Sequence, residues 1–332
     1  MLNEKNLRRV ITVILIAMVI VLFSVTTDSF LSRYNILLLF KDAAYTGLIA
    51  LGVCCVMVCG GVDLSAGGIV CIVGVAVARA SFIPGIPGFA VLLIGLAAGL
   101  ACGLINGLIV SKLHLTEFVT TLATGSVFTG LALLTTFKQH GRAVSTAITN
   151  KGFLTFGGHI DGLYLISIAW IILVIVFQIL YTKTPLGTYI SAVGSNPKSA
   201  QMSGISKGKM KIVTFMLSGG FAGLAASFMV AYQTASTLTL GSGMEFQAIA
   251  ACVVGGVAMT GGKGDAVTAA LGTIFLTLIT NGLYKWGLST GALNLLTGII
   301  IIAVINFDTV LASVSHRRMM RKANPKEVLA NE

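Results

Sequence analysis

Charge is scarce in this sequence. Only 10% of the 332 residues are Asp, Glu, Lys or Arg, while 56% are hydrophobic and the mean hydropathy is +0.95. Soluble domains carry about 25% charged residues, so a water-facing globule of this size is excluded. Histidine is scarcer still. His114, His140, His159 and His316 each fall in a loop or near the end of an apolar run, and none has a serine, cysteine or carboxylate at a recognisable catalytic spacing. Catalytic residues and a resident cofactor are therefore not expected. Cysteines Cys54, Cys55, Cys59, Cys71, Cys102 and Cys252 all lie in apolar stretches with no histidine at ligand spacing. They read as small hydrophobes rather than as metal ligands or disulfide partners. A nucleotide-binding loop is missing too. The segment GGKGD at 261–265 lacks the G-x-x-x-x-G-K-[ST] pattern, because Val257 stands where its first glycine belongs and Gly264 follows Lys263.

What is present is apolar sequence in long runs. Residues 10–25, 43–59, 89–110, 118–137, 163–180, 212–231 and 292–305 are broadly continuous, and a membrane-spanning helix needs about 20 mostly apolar residues. Shorter or glycine-interrupted stretches at 69–82, 248–259 and 266–279 fill the gaps. The pattern predicts an all-α polytopic membrane bundle of about ten helices, forming a single transmembrane domain over 1–332. Lys5, Arg8 and Arg9 precede the first run as they would in a signal peptide. That run is longer than most signal cores and more spans follow it, so a retained first helix is expected.

The formal charge of +11 comes from 22 Lys and Arg against 11 Asp and Glu. With the N-terminus inside and ten spans, most of those cations fall in cytoplasmic segments: before the first run, at Lys112, between Lys183 and Lys211, at Lys263, and between Arg317 and Lys326. This bias predicts that both termini are cytoplasmic. Basic residues beside spans suit anionic lipid rather than nucleic acid.

The 39 glycines concentrate in the apolar regions, where small residues let helices approach closely and permit unwound segments along a transport path. LINGLI from Leu104 and LITNGLY from Leu278 end helices on opposite sides of the membrane in this topology. That is the mark of an inverted repeat in which helices two to five mirror seven to ten. The polar connector at 138–162 is expected outside, either as a short helix or hairpin over the pore mouth that receives a soluble partner, or as a solvated link.

Three segments hold candidate functional residues. In GGVDLSAGG (60–68), Gly61, Asp63 and Ser65 stand at a helix start, and two readings are open. Asp63 caps a discontinuous helix by accepting backbone N–H bonds, or it is a proton or substrate ligand. In GSGMEFQ (241–247), Glu245 and Gln247 open an apolar stretch, and Glu245 either caps or bonds between helices or lines the pathway. The polar segment AVGSNPKSAQMSGISKGKMK (192–211) has its own logic. Asn196 caps a helix, Pro197 suits its first turn, Lys198, Ala200 and Met202 carry it forward, and Gly204 stops it. So short a helix is marginal alone and needs a surface, either its own bundle or a cytoplasmic partner.

These segments, in this order, resemble the permease subunits of ribose-type bacterial ABC importers, which serve monosaccharides and small polyols. The resemblance runs from about Asn35 to Phe307 and rests on GGVDLSAGG, LINGLIVSKLHLTEFVTTLATGSVFTGLAL, AVGSNPKSAQMSGI, MEFQAIAACVVGGVAMTGGKG and NGLYKWG. It implies a type II importer fold in the bacterial inner membrane, paired with a second permease copy or paralogue. It further implies cytoplasmic ATPase subunits that bind ATP and magnesium, and a periplasmic or lipid-anchored sugar-binding protein. The 192–211 loop would then hold the helix that couples to the ATPase. The chain departs from the family where Thr116 and Glu117 replace one or two prolines, Ala123 a glycine, and Gln247 a frequent acid. Two other functions stay open: a branched-chain amino-acid permease, and a secondary transporter that works without an ATPase.

Overall fold

The computed structural model describes residues 4–299 apart from 137, 140, 141, 144, 145, 290, 294 and 297. Within them the chain is a helical bundle. Helices α1 (Glu4–Thr26), α2 (Arg33–Val58), α3 (Ala66–Ala80), α4 (Gly88–Leu113) and α5 (Glu117–Thr135) form the first part. After a connector containing α6 (Lys151–Leu154) come α7 (Leu165–Lys183), α8 (Pro185–Ser195), α9 (Pro197–Met202), α10 (Lys207–Gln233), α11 (Met244–Gly255) and α12 (Ala266–Lys285).

The expected ten spans need correcting. Among the described residues seven helices are long and apolar enough to cross a membrane: α1, α2, α4, α5, α7, α10 and α12. The runs at 69–82 and 248–259 become α3 and α11, of 15 and 12 residues. At 1.5 Å per residue they reach about 22 Å and 18 Å, short of the ~30 Å hydrocarbon core. The run at 292–305 falls largely outside the described residues.

Helix α2 is the central post, with Ser32 Oγ capping it by accepting from Asn35 N and continuous burial from Gly47 to Val58. It begins well before the apolar run at 43–59 because Lys41 is tolerated inside: its Nζ lies 4.2 Å from the Tyr232 ring centroid and 3.3 Å from the Asp42 carboxylate. Helices α4 and α10 pack through Gly95, Gly99, Gly103 and Gly107, one per helical turn. A Cβ on Gly107 would stand 2.7 Å from the Ile212 Cα, and one on Gly99 or Gly103 would collide with carbonyl oxygens of α10. This is the close approach that small residues allow between spans. The contacts have a repeat-like form, since α4 packs on α10 while α12 packs on α2.

Among the described residues the connector takes part in three two-residue antiparallel pairings. Lys138–Gln139 pairs with Arg142–Ala143, Thr146–Ala147 with Ala235–Ser236, and His159–Ile160 with Leu163–Tyr164. Asn150 caps α6 through Phe153 N at 3.0 Å and donates to the Ile86 carbonyl at 3.1 Å. The connector is thereby tied over the ends of α4 and α10.

Candidate functional site

Two interruptions of the bundle carry buried carboxylates, and a third segment forms an exposed elbow beside them. At the first interruption α2 stops at Val58 and α3 starts at Ala66. Asp63 is fully buried between them. Its Oδ1 accepts from Ser65 N at 2.8 Å and Ser65 Oγ at 2.6 Å, and its Oδ2 from Ser218 Oγ of α10 at 2.7 Å. Asn106 Nδ2 of α4 donates to Ser65 Oγ at 2.6 Å, and Leu64 N donates to Thr121 Oγ1 of α5 at 3.0 Å. One carboxylate thus gathers α3, α4 and α10 around a helix start. Gly61 lies under the ion pair of Lys211 and Glu117, whose Nζ–Oε1 distance is 2.8 Å. Glu117, one of the departures from the family pattern, therefore has a structural partner 94 residues away in α10.

Glu245 and Gln247 sit in the first turn of α11. Glu245 Oε2 is buried with no hydrogen-bond partner among the described residues. It lies against Gly67 in the first turn of α3, where a Cβ would collide with it. The first turns of the two short helices therefore meet, with Glu245 between them. Gln247 is exposed and is not part of that contact.

The second interruption was not legible as a site. Asp265, fully buried, caps α12 by accepting from Thr268 N at 3.0 Å and Thr268 Oγ1 at 2.7 Å. Its Oδ2 is ion-paired with Arg9 of α1. Gln178 of α7 reaches the same oxygen at 3.5 Å and accepts from Val267 N at 3.2 Å. The signal for this node was the repeated pattern of two glycines followed shortly by Asp, in GGVD at 60–63 and GGKGD at 261–265.

The elbow is built from α8 and α9. Pro185 opens α8, and Ile190 and Val193 bury its inner face. Asn196 then ends α8 and caps α9, its side chain accepting from Ser199 N at 3.1 Å. Pro197 takes the first position of α9. Ala200 faces inward at 4% exposure, whereas Lys198 is exposed and Met202 projects at 90%. Gly204 ends the turn at φ +81°, a conformation that suits glycine, and Ile205 N closes on the Ala200 carbonyl at 3.0 Å. Helix α8 was not anticipated, because its 11 residues lack the length of a span and were absorbed into a loop. A cleft of about 670 Å³ opens between this elbow and the α4–α5 turn, lined in part by His114, Thr116, Glu117, Gln201, Lys207 and Lys211.

Among the described residues no group of three or more His, Cys, Asp and Glu could hold a metal.

Comparison with known proteins gives concordant matches. The profile of the family described as "Branched-chain amino acid transport system / permease component" matches residues 35–305. The chain is 34% identical to the ribose import permease protein RbsC of Bacillus subtilis over 87% of its length and 89% of that protein. It is 30% identical to the Haemophilus influenzae RbsC over 91% of its length and 92% of that protein. Against the autoinducer 2 import system permease protein LsrC of Photorhabdus laumondii it is 29% identical, covering 92% of its length and 90% of that protein. No solved structure matches the chain.

Proposed function

The chain belongs to the ribose/allose-like family of ABC-type importer permeases, and from that premise we propose that it carries a monosaccharide or related small polyol into the cell across the bacterial inner membrane. It is a transport subunit of a permease family rather than of a catalytic one. Two of the relatives above are named for ribose and one for autoinducer 2, which supports a small hydroxylated solute.

The observation that carries the mechanism is the α8–α9 elbow. A capped, proline-started helix of six residues exposes Met202 at 90% while holding Ala200 inside. The outward Met202 on a capped turn is, in this reading, the anchor that fills a pocket on a partner. In this reading residues 192–211 form the cytoplasmic coupling loop of the single domain 1–332, and Asn196, Pro197, Lys198, Ala200, Met202 and Gly204 meet an ATPase subunit that binds ATP and magnesium. The basic residues around the loop favour a cytoplasmic placement, with both termini on the same side.

Helices α3 and α11, together with the run at 292–305, complete ten membrane segments in a type II importer fold, with α2–α5 mirrored by α10, α11, α12 and that last run. Each half then carries a long helix followed by a short one whose first turn lies inside the protein, as discontinuous helices do in transporters with inverted repeats. Gly61, Asp63 and Ser65 hold one such turn, while Glu245 and Gln247 open the other and border the pathway. A second permease copy or paralogue and a periplasmic or lipid-anchored binding protein complete the assembly. The loaded binding protein docks outside, ATP closes the ATPase pair, and movement at the elbow opens the route; hydrolysis resets it.

Purification from the native membrane with partners retained, followed by identification of the bound solute, tests this reading. An ATPase subunit and a monosaccharide or polyol are expected. A branched-chain amino acid in the bound fraction would instead favour the activity named in the family description.

A further inference from the structure

Glycine main chain fills the junction beneath the elbow. Gly194, in the last turn of α8, packs against a bonded main-chain pair, in which Gly262 N donates to the Val58 carbonyl at 2.8 Å. A Cβ on Gly194 would collide with that carbonyl oxygen and stand 2.6 Å from Gly262 N. One on Gly261 would stand 2.8 Å from the Gly60 Cα and 2.9 Å from the Gly194 carbonyl oxygen. One on Gly262 would collide with Ser195 Oγ and stand 3.0 Å from the Ser195 Cα. The end of α2, the last turn of α8 and the turn before α12 therefore meet main chain to main chain at Gly60, Gly194 and Gly261, with the Ser195 side chain set against Gly262.

The contacts of Gly194 with Val58 and of Gly261 with Gly60 have no rotatable group to absorb a displacement, and packed interiors transmit strain. The elbow above the junction is bonded on both sides of Asn196: Asn196 N donates to the Ala192 carbonyl at 3.0 Å, and Ala200 N to the Asn196 carbonyl at 3.0 Å. Below it, Gly60 leads into Asp63 and α3, and Gly262 into Asp265 and α12. The junction thus stands on both helix interruptions at once.

Resting on the coupling reading of α9, we infer that Gly60, Gly194, Gly261 and Gly262 form a seat through which α8 moves the two interruptions together, and that Gly194 and Gly262 are positioning residues of the transport cycle. The ligand-free chemistry of the seat is mechanical. A push on α9 reaches the Asp63 and Asp265 turns through main-chain contact as a rigid-body shift.

The test uses the permease purified with its native ATPase and binding protein and reconstituted in liposomes. Gly194→Ala is expected to retain the ATPase subunits while solute imported per ATP hydrolysed falls about tenfold, within the usual range of coupling between sites. Unchanged import per ATP in that variant overturns the seat. Replacing Asn196, Pro197, Ala200 and Gly204 separates the two claims. If those changes leave ATPase retention and import normal, the coupling reading itself falls. If they uncouple and Gly194→Ala does not, only the seat falls.

Should Gly194→Ala fail to insert, pulsed electron paramagnetic resonance on otherwise unaltered protein decides. Spin labels at the exposed positions 198 and 263 should keep their separation between ATP-free and ATP-bound states, while labels at 198 and 115, across the cleft, should change theirs. A 198–263 separation that changes as much as the other overturns the seat.

Discussion

The turns before α3 and α12 solve the same problem with different charges. Each follows a pair of glycines, and each uses a fully buried aspartate to start a helix inside the bundle. Asp63 is bonded by a backbone N–H and two serine hydroxyls, and no cationic side chain among the described residues bonds to it. Asp265 is bonded by a backbone N–H, a threonine hydroxyl and the guanidinium of Arg9, which comes from outside the repeated helices. A buried charge costs several kcal/mol to desolvate unless paired. The second turn is therefore pinned to α1 by charge, whereas the first is held only by neighbours that surround it. The first turn is the one whose helix meets Glu245 and α11.

Removing each carboxylate should break this comparison in a definite order. Asp265→Ala deletes the cap and strands Arg9, and should lower stability by about 3–5 kcal/mol, as for breaking one side of a buried pair; chemical denaturation in detergent reads it. Ser218→Ala takes one hydroxyl from the Asp63 carboxylate and should lower stability by about 1.5–3 kcal/mol, as for a bond to a charged group. Asp63→Asn keeps the shape and the acceptor for Ser65, so its effect at neutral pH should be the smallest, about 1 kcal/mol or less. An Asp63→Asn loss as large as that of Asp265→Ala would erase the distinction.

Much of the fold was legible because spans announce themselves by length and composition. The runs at 89–110 and 212–231 became α4 and α10 with only a few residues added at each end. The start of α9 was equally plain, since Asn196 and Pro197 act within one turn. Pairings across the chain were not legible. Arg9 with Asp265, and Lys211 with Glu117, join residues that no local period relates. Glycine content was visible in the sequence, but which glycines face one another depends on how α4, α8 and α10 cross. The shortness of α3 and α11 was not legible, because hydropathy counts apolar residues and is blind to where a helix starts inside the bundle. The likeness of GGKGD to GGVD carries meaning only once the fold shows both turns opening a helix.

ATP-driven import is the centre of the account, and reconstitution tests it most directly. Liposomes containing the permease with the subunits that co-purify with it, and supplied with the binding protein and a labelled monosaccharide, should accumulate solute only when ATP is present on the side of the α8–α9 elbow. Accumulation that persists without ATP and follows an imposed ion gradient would contradict the account and identify a secondary transporter.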